Sequence, residues 1–346
     1  MKIAVIGIGS IGARHLENIM MLGYDDIVLV SKKSGLQDKF KSFAQCNNLA
    51  GALALHSIDA AIVCTPTAFH LAGMELLLKH HVQRIYLEKP VSHALEGVNN
   101  ILEKAQQNNA LVVVGYDLRF DPALEKINNI LNSGELGVPV SANAFVGQYL
   151  PDWRPYEDYS KGMSAKKETG GGVLLDLVHE FDYLYHLFGK ASSVAAHYKH
   201  SGSLDIETED TADVLLSFEN NVTATIHLDY LQPQLTRYCT ITCTQGTINW
   251  NLALQELTWT NRQKQTSYFE YKSFTRNQRF QAIMKAFLED VEDTRLAGLS
   301  DGVESLKMAM AAKLSSESGR FVNLNLLGQM PGTRLNVAQR TERTSE

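Results

Sequence analysis

The residues of this chain best equipped for chemistry lie far apart in the sequence. Asp176, His179 and Asp182 recur every three residues in Gly170-Gly-Gly-Val-Leu-Leu-Asp176-Leu-Val-His179-Glu180-Phe-Asp182, and neighbours at that spacing share a helix face. Leu174, Leu175, Val178, Phe181, Leu184 and Tyr185 fill other positions with apolar groups. A carboxylate beside a histidine on an apolar helix is what a general base needs. The carboxylate fixes the tautomer, and the imidazole takes a proton near neutral pH. The same pattern describes a helix-surface ion pair. A metal site is not expected, because two helix residues bring no evident third ligand. Three glycines ahead of the helix allow close backbone approach to a ligand. Lys89, in Leu87-Glu88-Lys89-Pro90, is a second candidate. Lysine is rarely buried without a purpose. At a cleft its ammonium donates to a substrate oxygen; at a strand end it also serves as an ordinary surface residue.

A third constellation opens the chain. Gly7-Ile8-Gly9-Ser10-Ile11-Gly12 follows the apolar run Lys2-Ile-Ala-Val-Ile6 and precedes a helical pattern that carries Arg14. In that context the first glycine allows the tight turn, the second lets backbone approach a pyrophosphate, and the third lets helix and strand pack closely. The helix N-terminus then faces the phosphate charge. A dinucleotide site of this kind commonly has Asp or Glu at the end of the second strand, to bind the ribose 2′-hydroxyl. Here the strand Ile27-Val-Leu-Val30 ends in Ser31-Lys32-Lys33. A hydroxyl followed by two ammonium groups suits a 2′-phosphate, which favours NADP over NAD. Cys64-Thr65-Pro66-Thr67 ends another strand, with His70 just beyond. Thr65, Pro66 and His70 are candidates to line the cofactor, and Thr67 also reads as a helix N-cap.

These groups need a frame. Over the first 120 residues short apolar strands (2–6, 27–30, 60–64, 84–87, 111–115) alternate with helical patterns (12–22, 36–45, 68–79, 95–108). That alternation predicts a parallel sheet with crossover helices on both faces. A helix over 119–132 follows. From residue 138 the pattern changes to period two, predicting strands at 141–148, 193–199, 212–218, 222–230, 237–243, 247–251, 256–260 and 267–271. These predict an open antiparallel sheet of six to eight strands, interrupted by one long helix over 172–188. Helices over 277–294 and 302–318 close the domain. The chain divides into a dinucleotide-binding α/β domain (1–120), an α+β domain (121–327) and a solvated tail (328–346). Ligand clefts form at such junctions and at the carboxyl ends of parallel strands.

Bulk composition narrows the function. The 346 residues are 45% hydrophobic and 20% charged, with a net charge of −6. This suits a globular protein and argues against a nucleic-acid binder, which shows a basic face. Met1-Lys2 runs directly into the first strand, so no signal peptide is expected. The most apolar stretch, 50–65, is interrupted by His56 and Asp59, so no membrane span is expected. The four cysteines, Cys46, Cys64, Cys239 and Cys243, form no CxxC and no zinc spacing. They read as reduced thiols in a cytoplasmic protein.

The glycine turn, Glu88-Lys89-Pro90, the segment Tyr116-Asp-Leu-Arg119-Phe-Asp-Pro122 and the Gly-Gly-Gly…Asp176…His179-x-x-Asp182 helix occur in one order. Together with the closing Asp301-Gly-Val-Glu-Ser-Leu-Lys…Ser316-Glu-Ser-Gly-Arg320, they resemble the Gfo/Idh/MocA oxidoreductases over about residues 1–325. The resemblance implies a Rossmann domain, a large open β-sheet domain whose outer face often mediates oligomers, and a homodimer or homotetramer. It implies NAD(P)-dependent oxidation of a sugar, cyclitol or sugar-nucleotide hydroxyl, or reduction of the ketone. By this resemblance Lys89 positions the reacting oxygen, His179 is the acid/base and Asp176 its partner. Many members place the aspartate four residues before the histidine, whereas here the separation is three. Arg119 is implied to bind substrate or to brace the domain junction. Separately, the aromatic and cationic groups Trp153, Arg154 and Tyr156 ahead of the glycine helix suit a lid, recognition of a sugar or phosphate, or a loop packed by its own aromatics. Some relatives use bound NAD within net glycoside hydrolysis, and a few are non-catalytic cofactor sensors. The presence of both Lys89 and His179 speaks against the latter.

Overall fold

The computed structural model describes residues 1–32 and 38–327. Lys33 and the tail 328–346 therefore lie outside the described residues.

Short strands of branched apolar residues alternate with helices through the first third of the chain. They are β1 (Ile3–Ile6), α1 (Ser10–Met21), β2 (Ile27–Val30), β3 (Ala44–Cys46), α2 (Leu49–Leu55), β4 (Ala60–Val63), α3 (His70–Lys79), β5 (Arg84–Leu87), α4 (Val98–Gln107) and β6 (Leu111–Val114). Every residue of β1, β2 and β4 is buried, as helices on both faces require. The strands run parallel in the order β3-β2-β1-β4-β5-β6. This is the doubly wound order, and the crevice above β1 and β4 is its ligand position. Leu16 and Ile19 of α1 cover one face with Ile3, Val5, Ile27 and Leu29. Met74, Leu77 and Ile101 cover the other with Ala4, Ile6 and Val28. The helical pattern over 36–45 proves misread: among its described residues lie a 3₁₀ turn at Asp38–Phe40 and edge strand β3. The helix follows at α2, started by Asn48, whose side chain accepts from the Gly51 N–H.

The second half continues with α5 (Pro122–Ser133), β7 (Pro139–Gly147), α6 (Val173–Asp176), α7 (His179–Phe188), β8 (Ala191–Lys199), β9 (Thr211–Phe218) and β10 (Thr223–Asp229). Then come β11 (Thr236–Cys243), β12 (Gly246–Asn251), β13 (Glu256–Asn261), β14 (Thr266–Glu270), α8 (Arg276–Glu289), β15 (Ala297–Gly298), α9 (Leu299–Ser318) and β16 (Val322–Asn323). Nine strands form one sheet in the order β14-β13-β12-β11-β7-β10-β9-β8-β16. The sheet is mixed rather than wholly antiparallel. β10 lies parallel to β7, from Thr223 opposite Ser141 to Asp229 opposite Gly147. Hairpin-linked strands must be antiparallel, but β7 and β10 are joined through α6, α7 and two strands, and so are free of that constraint. Alternate residues such as Ala142, Ala144, Ala224 and Ile226 point into the core.

Two departures from the sequence reading shape the site. The long helix over 172–188 is broken: α6 ends at Asp176 and α7 begins at His179. Also, the chain returns to the first sheet after crossing the second. β15 pairs antiparallel with β6, Ala297 opposite Val114 and Gly298 opposite Val113. Ile283, Met284 and Phe287 of α8 share the core of Leu16 and Ile19. Segments placed in 121–327 by the sequence division thus complete the flank of the dinucleotide-binding sheet. All four cysteines are free thiols. Among the described residues no helix is long and apolar enough to cross a membrane.

Candidate active site

The glycine turn forms as its pattern requires. Gly7 has φ +90°, and a Cβ there would stand 2.7 Å from the Cys64 carbonyl oxygen. A Cβ on Gly12 would collide with the Gly7 carbonyl. Gly9 caps α1 with no side-chain hydrogen bond, so the first amides of α1, from Ser10, Ile11 and Gly12, are open to an anion. This cradle fits a dinucleotide's pyrophosphate. Nearby, the Thr65 hydroxyl is buried without a hydrogen-bond partner and is free to meet a ligand. Pro66 is exposed beside it. Ser31, at the end of β2, is half-buried, and its N–H donates to the Cys46 carbonyl at 3.0 Å. Lys32 is exposed.

His70 lies with both ring nitrogens against backbone carbonyls. It is 1% exposed, and its two ring nitrogens lie 2.8 Å from the Pro90 carbonyl and 2.9 Å from the Thr65 carbonyl. Burial lowers its pKa, against the upward pull of the two carbonyls, and the ring packs between the β4 turn and the β5 turn, donating to one carbonyl when neutral. Glu88 also faces inward. Its carboxylate meets buried His15 of α1 at 2.6 Å, pinning the glycine-turn helix to the end of β5. Lys89, next along, points the other way. Its ammonium donates to the Asp176 backbone carbonyl at 2.6 Å, joining the first domain to the end of α6.

Lys89, Asp176 and His179 thus converge, but not in the expected pairing. The break between α6 and α7 turns the Asp176 side chain away from His179. The Asp176 carboxylate instead accepts from the buried Tyr230 hydroxyl at 2.6 Å. The carboxylate that meets His179 is Asp117, whose Oδ1 lies 3.4 Å from His179 Nε2. The other ring nitrogen, Nδ1, is buried without a partner. Asp117 Oδ2 accepts from Arg279 Nε at 2.9 Å, and Arg279 also reaches Asp121 at 2.9 Å. Burial acts to lift the Asp117 pKa, but Arg279 first, then His179, Arg276 and Arg237, hold it below the usual range. Burial pushes the His179 pKa well down. Asp117 opposes this, and Lys89, Arg237 and Arg279 add to it. The result is a neutral imidazole next to a carboxylate and within the field of an ammonium.

The remaining candidates divide. Arg119 is 3% exposed. It donates to Asp182 at 3.0 and 2.7 Å and to Asp301 at 3.1 Å. It braces the turn ahead of α5 against α7 and α9. Trp153 is closer to the chemistry: its ring stands edge-on to Tyr230 at 5.3 Å, and its buried Nε1 has no partner. Among the described residues no group of three or more His, Cys, Asp or Glu is placed to hold a metal ion. Sequence reasoning passed over Asp117, Tyr230, His15 and Arg279. The signal for Asp117 was its place just past β6, where strand ends in a parallel sheet carry function. Tyr230, just past β10, carried no such signal.

Two family profiles match this arrangement. Residues 1–116 match the oxidoreductase family with the NAD-binding Rossmann fold, and residues 124–249 match the GFO/IDH/MocA C-terminal domain. The chain belongs to the Gfo/Idh/MocA oxidoreductase family. It is 30% identical over 236 residues to the uncharacterized oxidoreductase YrbE of Bacillus subtilis, covering 64% of this chain and 65% of that one. It is 26% identical over 242 residues to the myo-inositol 2-dehydrogenase of Thermotoga maritima, covering 65% of this chain and 67% of that one. The match thus spans about two thirds of these relatives. In three dimensions the chain resembles a levoglucosan dehydrogenase solved with NADH and levoglucosan. The TM-score is 0.82, at 16% identity, with 94% of this chain and 99% of that one covered. At that identity the likeness establishes the fold. Within this family fold, the cleft offers a neutral imidazole to exchange a proton and an ammonium to stabilise an oxyanion.

Proposed function

We propose that this protein is an NAD(P)-dependent dehydrogenase or reductase, transferring hydride between nicotinamide and a sugar, cyclitol or sugar-nucleotide CH–OH or ketone. The observation that carries the reading is the placement of Lys89, from the end of β5, whose ammonium donates at 2.6 Å to the Asp176 carbonyl, three residues before His179 at the start of α7. Relatives named as inositol dehydrogenases support the substrate class.

In oxidation His179 takes the hydroxyl proton. The contact of Nε2 with Asp117 and the unpartnered Nδ1 favour Nδ1 as the accepting atom. Asp117 then stabilises the imidazolium, as a buried carboxylate beside a general base does. Lys89, steadied by the Asp176 carbonyl, donates to the reacting oxygen as negative charge develops there. Gly7, Gly9, Ser10, Ile11, Gly12, Thr65 and Pro66 would hold the dinucleotide. When bound, its nicotinamide supplies the redox chemistry. Trp153 lines the substrate side. A homodimer or homotetramer in the cytoplasm completes the reading.

Lys89→Ala and His179→Ala are each expected to lower kcat by about 10²–10⁴-fold, the range for a lost acid/base or oxyanion donor. NADH fluorescence titration should show cofactor binding preserved in both. Full activity in either variant removes that residue from the mechanism. Release of aglycone from aryl glycosides without net cofactor reduction would replace the dehydrogenase reading. For the cofactor, the sequence Ser31-Lys32-Lys33 at the end of β2, with no Asp or Glu among these three residues, favours NADP. Titration should give tighter NADPH than NADH, and Lys32→Asp should reverse the order. A wild-type preference for NADH overturns this part.

A further inference from the structure

The charges around the cleft do not balance, and the excess has a place. Arg279 is held by Asp117 and Asp121, and Arg237 by a two-pronged bond to Glu180 at 2.7 and 2.8 Å. Arg14 and Arg276 differ. Among the described residues neither has a carboxylate within ion-pair reach, and both guanidiniums lie over one ring, Phe280, at 4.9 and 5.9 Å from its centroid. Two like charges drawn to one aromatic ring repel each other, and an anion shared between them relieves that repulsion. Both remain reachable, since Arg14 is half-buried and Arg276 exposed.

Their position indicates the ligand. Arg14 lies in the second turn of α1, and helix side chains lean toward the N-terminus, here toward the glycine turn. Arg276 is the first residue of α8, which packs alongside α1. It stands three residues before Arg279, one turn along the same helix, and Arg279 holds the Asp117 that meets His179, so the pair extends from the glycine turn toward His179. Guanidinium forks match phosphate geometry, and a helix N-terminus adds to the field.

We propose that Arg14 and Arg276 form a phosphate clamp at the mouth of the cleft. A phosphate reaches this point from two sources, the dinucleotide or a phosphorylated or nucleotide-linked substrate. The second source rests on the sugar-nucleotide form of the proposed function; the clamp itself does not.

The test is calorimetric titration of the full-length protein with inorganic pyrophosphate, with and without saturating NADPH. Wild type, R14Q and R276Q are compared, with circular dichroism to establish that each variant is folded. Each substitution is expected to weaken pyrophosphate by at least about tenfold, the loss of a charge-assisted hydrogen bond. Competition by NADPH assigns the clamp to the dinucleotide. Binding that persists on the NADPH-loaded protein, and is lost in the variants, assigns it to the substrate. Pyrophosphate binding of wild-type strength in folded R14Q and R276Q, or no binding to the wild type, overturns the proposal. Because the readout is binding, the clamp and the hydride-transfer reading can fail separately.

Discussion

Replacing Arg119 by methionine separates a brace from a substrate contact. The guanidinium is 3% exposed and makes three bonds, two to Asp182 and one to Asp301. The two carboxylates respond differently to its loss. The Asp301 side chain is 27% exposed and can rehydrate, whereas the Asp182 side chain is 1% exposed and cannot. Stranding a buried charge in this way costs about 3–5 kcal/mol. At about 2–4 °C per kcal/mol for domains of this size, the unfolding temperature falls by about 6–20 °C. The deficit also depends on pH. Burial already lifts the Asp182 pKa above the usual range, against the pull of Arg119, and removing Arg119 lifts it further. A carboxyl whose pKa is raised in the folded state contributes stability that is present in acid and lost as pH rises through that value. The variant's deficit is therefore smallest in acid and grows toward neutrality. Thermal unfolding followed by circular dichroism across a pH series, with KM measured in parallel, checks this. An unchanged unfolding temperature together with a raised KM would refute the brace and return Arg119 to the substrate.

Two further outcomes follow from the same geometry. Asp117→Asn removes the carboxylate that opposes the downward shift of His179, so the acid limb of kcat/KM moves to lower pH; a limb that stays or moves up removes Asp117 from the His179 couple. Tyr230→Phe deletes a buried hydrogen bond to the Asp176 carboxylate and should cost about 1.5–3 kcal/mol in a denaturant melt. It should also lower kcat through the Asp176–Lys89 contact, and a variant with unchanged stability would show that Asp176 finds another donor.

The glycine turn was legible because a local pattern determines it: strand, turn and helix are adjacent in sequence, and Gly12 packs directly on Gly7 within that turn. Lys89 and His179 were legible as unusual residues in apolar surroundings. Their true partners were not. The break between α6 and α7 falls at Leu177-Val178, two apolar residues that continue the helical pattern across the gap. Asp176 and His179 therefore kept an apparent shared face that the backbone does not give them. Asp117 was hidden because its meaning depends on Arg279, 162 residues later. The nine-stranded sheet was nearly complete in the alternation of its strands, but the parallel β7–β10 pair was not, since period two is the same for either direction.

The return of α8 and β15 to the first sheet bears on how such a protein can be taken apart. A fragment ending near residue 120 would leave Leu16, Ile19 and Val113 without the α8 side chains that cover them, and would expose the β6 edge that β15 closes. The second half therefore cannot be exchanged at one junction. A working chimaera needs three joints, with the 276–298 segment travelling alongside the amino-terminal third. Recombination that respects this reshuffles the large sheet alone, while the Rossmann sheet keeps its cover and its closed edge.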